Sequence, residues 1–161
     1  MSHKELVEPE AKPKNSEKNS HRVDWERMAS VYLRFALGAS FLSGIADRFG
    51  LYTGRNVGYG NFAGFVAYTA KVNSFMPAWT IPFLAWAATA AELSFGLALV
   101  LGIWLRWAAF GSAVLLVLFG VAMAISFGVK SPLDYSVFSA SAGALFLAFY
   151  ETRALKKPDS L

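Results

Sequence analysis

One carboxylate constrains this chain more than any other feature. Glu92 is the only charge in the apolar run Phe83–Leu105, FLAWAATAAELSFGLALVLGIWL. A run of this length is read as a helix that crosses a bilayer. An ionised side chain at bilayer depth is costly and faces protein or water, not lipid. The run therefore predicts a membrane protein whose helices pack around a polar interior.

The rest of the composition agrees. Of 161 residues, 55% are hydrophobic and 16% are charged, against about 25% charged in an ordinary soluble domain. The net charge of +4 is no nucleic-acid signal, because the basic residues flank apolar spans. The chain has no cysteine, which removes disulfides, thiol relays and thiolate metal sites within it. Both histidines, His3 and His21, lie in the polar N-terminal stretch. No pattern of metal ligands occurs in the spans, so no metal site is expected.

Residues 1–27 read as a disordered cytoplasmic tail, polar and without the apolar segment of a signal peptide. The first span is placed at about 28–49, with Ser40 and Gly44 at a spacing that suits close helix contact. Within Gly50–Ala78, the segment NFAGFVAYTAKV suggests a short helix lying at the membrane surface. The second span is placed at 80–105, with Pro82 in its first turn, and the third at 107–127. Ser131, Pro132 and Asp134 resemble a capping box with proline at the first helical position. They put the fourth span at 132–150, and residues 156–161 read as a second cytoplasmic tail. The expected fold is an all-α integral membrane protein: a four-transmembrane-helix bundle with an interfacial helix between the first and second spans, one domain over 28–155.

Four spans place both termini on one side. That side carries ten basic residues outside the spans, and the other side carries four, Arg48, Arg55, Lys71 and Lys130. The excess predicts that both termini are cytoplasmic. Trp25, Trp104 and Trp107 then mark the inner interface, and Trp79 and Tyr135 the outer one.

Three residues are intramembrane polar candidates: Glu92, Arg48 and Arg34. Glu92 either binds a ligand or proton, or pairs with an arginine to fix packing. Helical side chains lean toward their own N-terminus. Glu92 on a descending helix leans outward, Arg48 on an ascending one leans inward toward it, and Arg34 leans toward the cytoplasm. Both arginines lie roughly 10–15 Å from Glu92 in depth, so direction favours Arg48 as the partner. Asp47, Lys130 and Asp134 fall at outer helix ends, as a charged rim or as ordinary solvated ends. Tyr59, Phe62, Phe65, Tyr68 and Phe75 either line a quinone or lipid slot or form an interfacial aromatic belt.

The chain resembles the DoxX family of small bacterial membrane proteins. The resemblance rests on LRFALG and SFLSG in the first span, AELSFGLALVLG in the second, RWAA opening the third and the polar lead-in SPLDYSVFSA to the fourth. It covers about Val31–Tyr150. It implies a four-helix bundle in the bacterial inner (cytoplasmic) membrane. The family takes its name from a subunit of thiosulfate:quinone oxidoreductase, and some members are linked to redox or thiol-stress complexes. By position, Arg34 and Glu92 match the family's recurring intramembrane charges. Many members carry a lysine near the end of the first span, where this chain has Asp47-Arg48. The resemblance implies a membrane subunit or scaffold of a redox-related complex without activity of its own. The alternatives are an oxidoreductase subunit that binds quinone or an anion, and a proton or small-solute carrier using Glu92. Quinone is the candidate cofactor. The expected partners are the lipid bilayer, a second copy of the chain or a redox subunit, and no nucleic acid.

Overall fold

The computed structural model describes residues 15–156, and among them every regular element is helical. The helices are α1 (Asn15–Arg48), α2 (Phe62–Val72), α3 (Ile81–Leu101), α4 (Leu105–Phe127), α5 (Lys130–Asp134) and α6 (Val137–Lys156). Three stretches are long and apolar enough to cross a membrane: Trp25–Arg48, Ala78–Leu101 and Leu105–Phe127. The outward surface of the helices is apolar. Phe83, Trp86, Phe110, Leu118, Ile125, Phe146 and Phe149 are all exposed, which is the reverse of a water-soluble bundle and suits lipid as the solvent.

Lipid offers no hydrophobic drive for helices to associate, so close packing at small residues holds such a bundle together. Helices α1 and α3 run antiparallel in that way. A Cβ on Gly38 would lie 2.7 Å from Val100 and 3.1 Å from the carbonyl of Gly96. One on Gly96 would press Phe41 and Leu42 at 3.2 Å. The seam of α1 therefore runs through Leu37, Gly38 and Phe41, all buried. The Ser40–Gly44 seam expected from the sequence is not used as such. Ser40 is exposed and bonds back to the Ala36 carbonyl, while Gly44 faces Glu92. Helices α4 and α6 pair through Gly120, packed on the Phe138 ring, and through Ser141, which donates to the Ala113 carbonyl at 3.0 Å. The two pairs share one core of Leu37, Phe41, Leu99, Ala109, Ala144 and Leu147 with their neighbours.

Several boundaries differ from the sequence reading. Helix α1 starts at Asn15, inside the stretch expected as a tail, because Asn15–Asp24 contains no proline or glycine to stop a helix extending backwards. Residues 1–14 and 157–161 lie outside the described residues. Helix α3 stops at Leu101, four residues early. Gly102 (φ 78°) and Trp104 (φ 47°) both adopt left-handed backbone, and the amides of Gly102 and Ile103 both return to the Ala98 carbonyl at 3.0 Å. This is a glycine C-cap, which a right-handed helix cannot continue through. The capping box at Ser131 does not form. Helix α5 begins at Lys130 without a side-chain cap, and the Ser131 amide bonds the Gly128 carbonyl. The chain then breaks at Ser136 (φ 54°), so α6 starts at Val137 and not at 132.

Candidate functional site

Glu92 and Arg48 meet in the bundle interior, each 4% exposed. The antiparallel register of α1 and α3 brings them there. Gly38 lies against Gly96 and Val100, Gly44 against Glu92, and Arg48 against Thr89 and Glu92. Arg48 Nη2 donates to both carboxylate oxygens, at 2.7 Å to Oε1 and 2.8 Å to Oε2. Arg48 Nη1 donates to Thr89 Oγ1 at 3.0 Å, and the Thr89 hydroxyl donates in turn to the Ala85 carbonyl at 2.8 Å. The guanidinium carbon lies 3.5 Å from the centroid of the Phe65 ring, a desolvated cation–π contact. Gly44 faces the pair, and a Cβ there would lie in ordinary van der Waals contact with Glu92 Oε2 at 3.5 Å.

Burying two charges is tolerated when they pair and their remaining hydrogen-bonding sites are filled. Here one site is left over. Arg48 Nε is buried without a partner, an unmet donor that adds to the cost of burying the pair. Arg48 and Glu92 also form part of the wall of a cavity of about 450 Å³. Its other walls are Tyr59, Phe65, Tyr68 and Thr69 of the segment between α1 and α3, Ala88 and Ala91 of α3, and Leu115, Phe119 and Met123 of α4. Three alanines of α3, Ala87, Ala88 and Ala91, leave this space where larger residues would fill it. A largely apolar cavity of this size with a few convergent polar groups is the usual form of a small-molecule site.

The aromatic segment between α1 and α3 roofs the cavity. Tyr59 packs on Phe65 at 5.1 Å and on Tyr68 at 5.3 Å between ring centroids. The Phe62 ring packs against Trp86 of α3, tilted by 35° with centroids 4.3 Å apart. Ser126 of α4 donates to the Val72 carbonyl at 2.7 Å, tying the far end of α2 to α4. Burial pushes the Tyr59 phenol up to about 12, with the neighbouring Tyr68 adding to it. The hydroxyl is therefore a neutral donor at any ordinary pH.

The remaining candidates are placed elsewhere. Arg34 does not approach Glu92. Its Nε donates to the Leu99 carbonyl at 3.0 Å and its Nη2 to the Val100 carbonyl at 3.5 Å. It satisfies the open end of α3, which leaves carbonyls unpaired in any helix. Asp47, Lys130 and Asp134 form no common rim. Lys130 and Asp134 pair with each other on the surface, whereas Asp47 is buried and accepts from the amides of Gly58 and Tyr59. Of the five aromatics singled out in the sequence, Tyr59, Phe65 and Tyr68 line the cavity, Phe62 buttresses it, and Phe75 is exposed. Thr89 lies one turn before Glu92, so its presence on the same face was legible. Its bond to Arg48 depends on the helix pair.

A family model for DoxX matches residues 29–128, from within α1 through α4, with both halves of the buried ion pair. No curated protein and no solved structure matches the chain. With apolar spans, a buried Arg48–Glu92 pair and this match over more than half its length, the chain belongs to the DoxX family of membrane proteins.

Proposed function

We propose that this DoxX protein is a non-catalytic membrane subunit of a redox-related complex and that it holds a quinone-class ligand beside Arg48 and Glu92. The observation that supports this reading is the apolar cavity with the neutralised ion pair in its wall. A quinone is flat, apolar and uncharged, and its carbonyl oxygens accept hydrogen bonds. The cavity offers donors to match in the hydroxyls of Tyr59 and Tyr68. The planar fork of Arg48 holds Glu92 and Thr89 at once, which a lysine would not do in the same geometry.

The protein sits, on this reading, in the bacterial cytoplasmic membrane with four spans and both termini inside. Helix α6 supports the fourth span: at about 30 Å it is long enough to cross, and it packs along α4 through Phe138 and Ser141. Glu151 and Arg153 near its end lower its mean hydropathy without interrupting it. Helix α2 turns Phe65, Thr69 and Val72 inward and leaves Ala63, Ala67 and Lys71 exposed, which supports a place at the outer interface.

The test is titration of the detergent-purified protein with a short-chain ubiquinone, followed by tryptophan fluorescence, since Trp86 packs on the roof residue Phe62. Saturable quenching that disappears in Ala91→Phe, which fills the cavity, is the expected result. Quenching that never saturates, or that is equal in both proteins, defeats the proposal.

A further inference from the structure

We infer that the cavity is loaded from within the bilayer, through a slot between α3 and α4, while a strap latched by Asp47 closes it to the outer aqueous face. This deepens the reading of the cavity as a ligand site and rests on it, and it restricts the ligand to uncharged, lipid-dissolved molecules.

Three observations carry it. The first is the latch. Asp47 is 6% exposed, and its carboxylate accepts from Gly58 N at 3.1 Å through each oxygen and from Tyr59 N at 2.6 Å. Bonds from backbone amides to a carboxylate are among the stronger hydrogen bonds. They fix the backbone that carries Tyr59, and Tyr59 stands between the loop and Arg48, 5.9 Å from its guanidinium carbon. A Cβ at 58 would lie 2.9 Å from Asp47 Oδ2, so any larger residue there displaces the carboxylate from its amides. The second is the roof, which is fastened at both ends: to α3 through Phe62 and Trp86, and to α4 through Ser126 and the Val72 carbonyl. Ser126 also bonds Ser74 at 3.0 Å, just beyond α2. The third is the opposite side. Two wall residues, Ala87 of α3 and Leu118 of α4, are exposed on the lipid-facing surface. Leu118 is 60% exposed and flanked by Val117 and Val121, also exposed. The cavity therefore reaches the apolar belt and is covered where the water lies.

Charge selects the ligand class. The positive charge of Arg48 is already balanced by Glu92 at 2.7 Å. An anion in the cavity would share one arginine with a buried carboxylate and leave a net negative charge in apolar surroundings. A neutral acceptor meets no such cost, which sets a lipid-soluble ligand above an anionic substrate.

The chain has no cysteine, so single introduced thiols report access without a ligand. In proteoliposomes, Ala91→Cys places a thiol in the cavity wall, and Arg55→Cys places one on the exposed loop as a control. Uncharged N-ethylmaleimide should modify position 91, whereas a charged thiosulfonate supplied to both faces should react there at least about tenfold more slowly than at 55. Adding Asp47→Ala should raise the charged reagent's rate at 91 about tenfold, the effect of losing charge-assisted bonds on an opening equilibrium. Gly58→Val, which disturbs the latch without altering α1, should do the same if Asp47→Ala fails to fold. Leu118→Trp should slow N-ethylmaleimide by obstructing the slot. The inference is overturned if the charged reagent reaches 91 as fast as 55, if neither reagent reacts there, or if Leu118→Trp changes nothing. Quinone takes no part in the experiment, so failure to bind quinone and failure of the access route are read separately.

Discussion

The Arg48–Glu92 pair should be coupled as one unit, and Arg34 should be independent of it. Glu92→Ala removes the acceptor of both short bonds from Arg48 Nη2. It leaves a guanidinium that is 4% exposed with Thr89 and the Phe65 and Tyr59 rings as partners and no counter-charge. Breaking a buried pair from one side costs about 3–5 kcal/mol. Glu92→Gln should cost less, because the amide oxygen still accepts from Nη2. Combining Glu92→Gln with Arg48→Gln removes the stranded charge, so the double variant should recover about 0.5–3 kcal/mol relative to the sum of the singles. The matching cycle with Arg34→Gln should be additive within about 0.5 kcal/mol, since Arg34 bonds the Leu99 and Val100 carbonyls and not Glu92. The assay is reversible unfolding in mixed detergent micelles, followed by circular dichroism. Additivity for Arg48 with Glu92, or a larger coupling to Arg34, would refute the register of α1 against α3 from which the site is built.

Gly38→Leu should prevent α1 and α3 from closing, because even a Cβ would lie 2.7 Å from Val100; loss of the monodisperse gel-filtration peak is the readout, and normal assembly would refute the contact. Gly38→Ala should fold but lose about 1–3 kcal/mol, the usual range for overpacking. Tyr59 should titrate at about 12 instead of the ordinary 10, seen as an alkaline absorbance step missing from Tyr59→Phe. The sign follows from the raised value: below pH 10 the phenol is protonated in both folded and unfolded chains and stability is unaffected. As pH rises from 10 toward 12 the unfolded chain loses the proton first, and stability falls. A Tyr59 step at the ordinary value would mean that the roof is wet. Reporters fused after Leu161 and at the N-terminus should both be cytoplasmic, and one inserted within Gly54–Gly60 periplasmic; a periplasmic C-terminus would remove α6 from the spans.

Much of the site was legible before any helix was placed. A single carboxylate in a long apolar run dictates a membrane bundle with a polar interior, because lipid cannot solvate it. The backward lean of helical side chains was enough to select Arg48 over Arg34. The face of α3 that carries Glu92 also followed from the helical repeat: Ala85, Thr89, Gly96 and Leu99 are buried with it. Helix ends were less legible. Trp104 and Ser136 adopt left-handed backbone that their residue types do not announce, and these two positions set the starts of α4 and α6, whereas the end of α3 is set by Gly102.

Tertiary structure alone decided what Asp47 and Arg34 do. In the sequence both are charges near the ends of a span, and local rules place such groups in solvent. Their partners are backbone atoms that lie far along the chain or in an irregular loop: the Leu99 and Val100 carbonyls for Arg34, and the Gly58 and Tyr59 amides for Asp47. A backbone amide or carbonyl is present at nearly every residue, so no pattern of side chains marks the one that will be used. The cavity has the same origin. The sequence places small residues on the Glu92 face of α3, but whether that space is filled by a neighbouring helix or left open depends on the distance between α3 and α4. The packing of α1, α2 and α6 around them sets that distance.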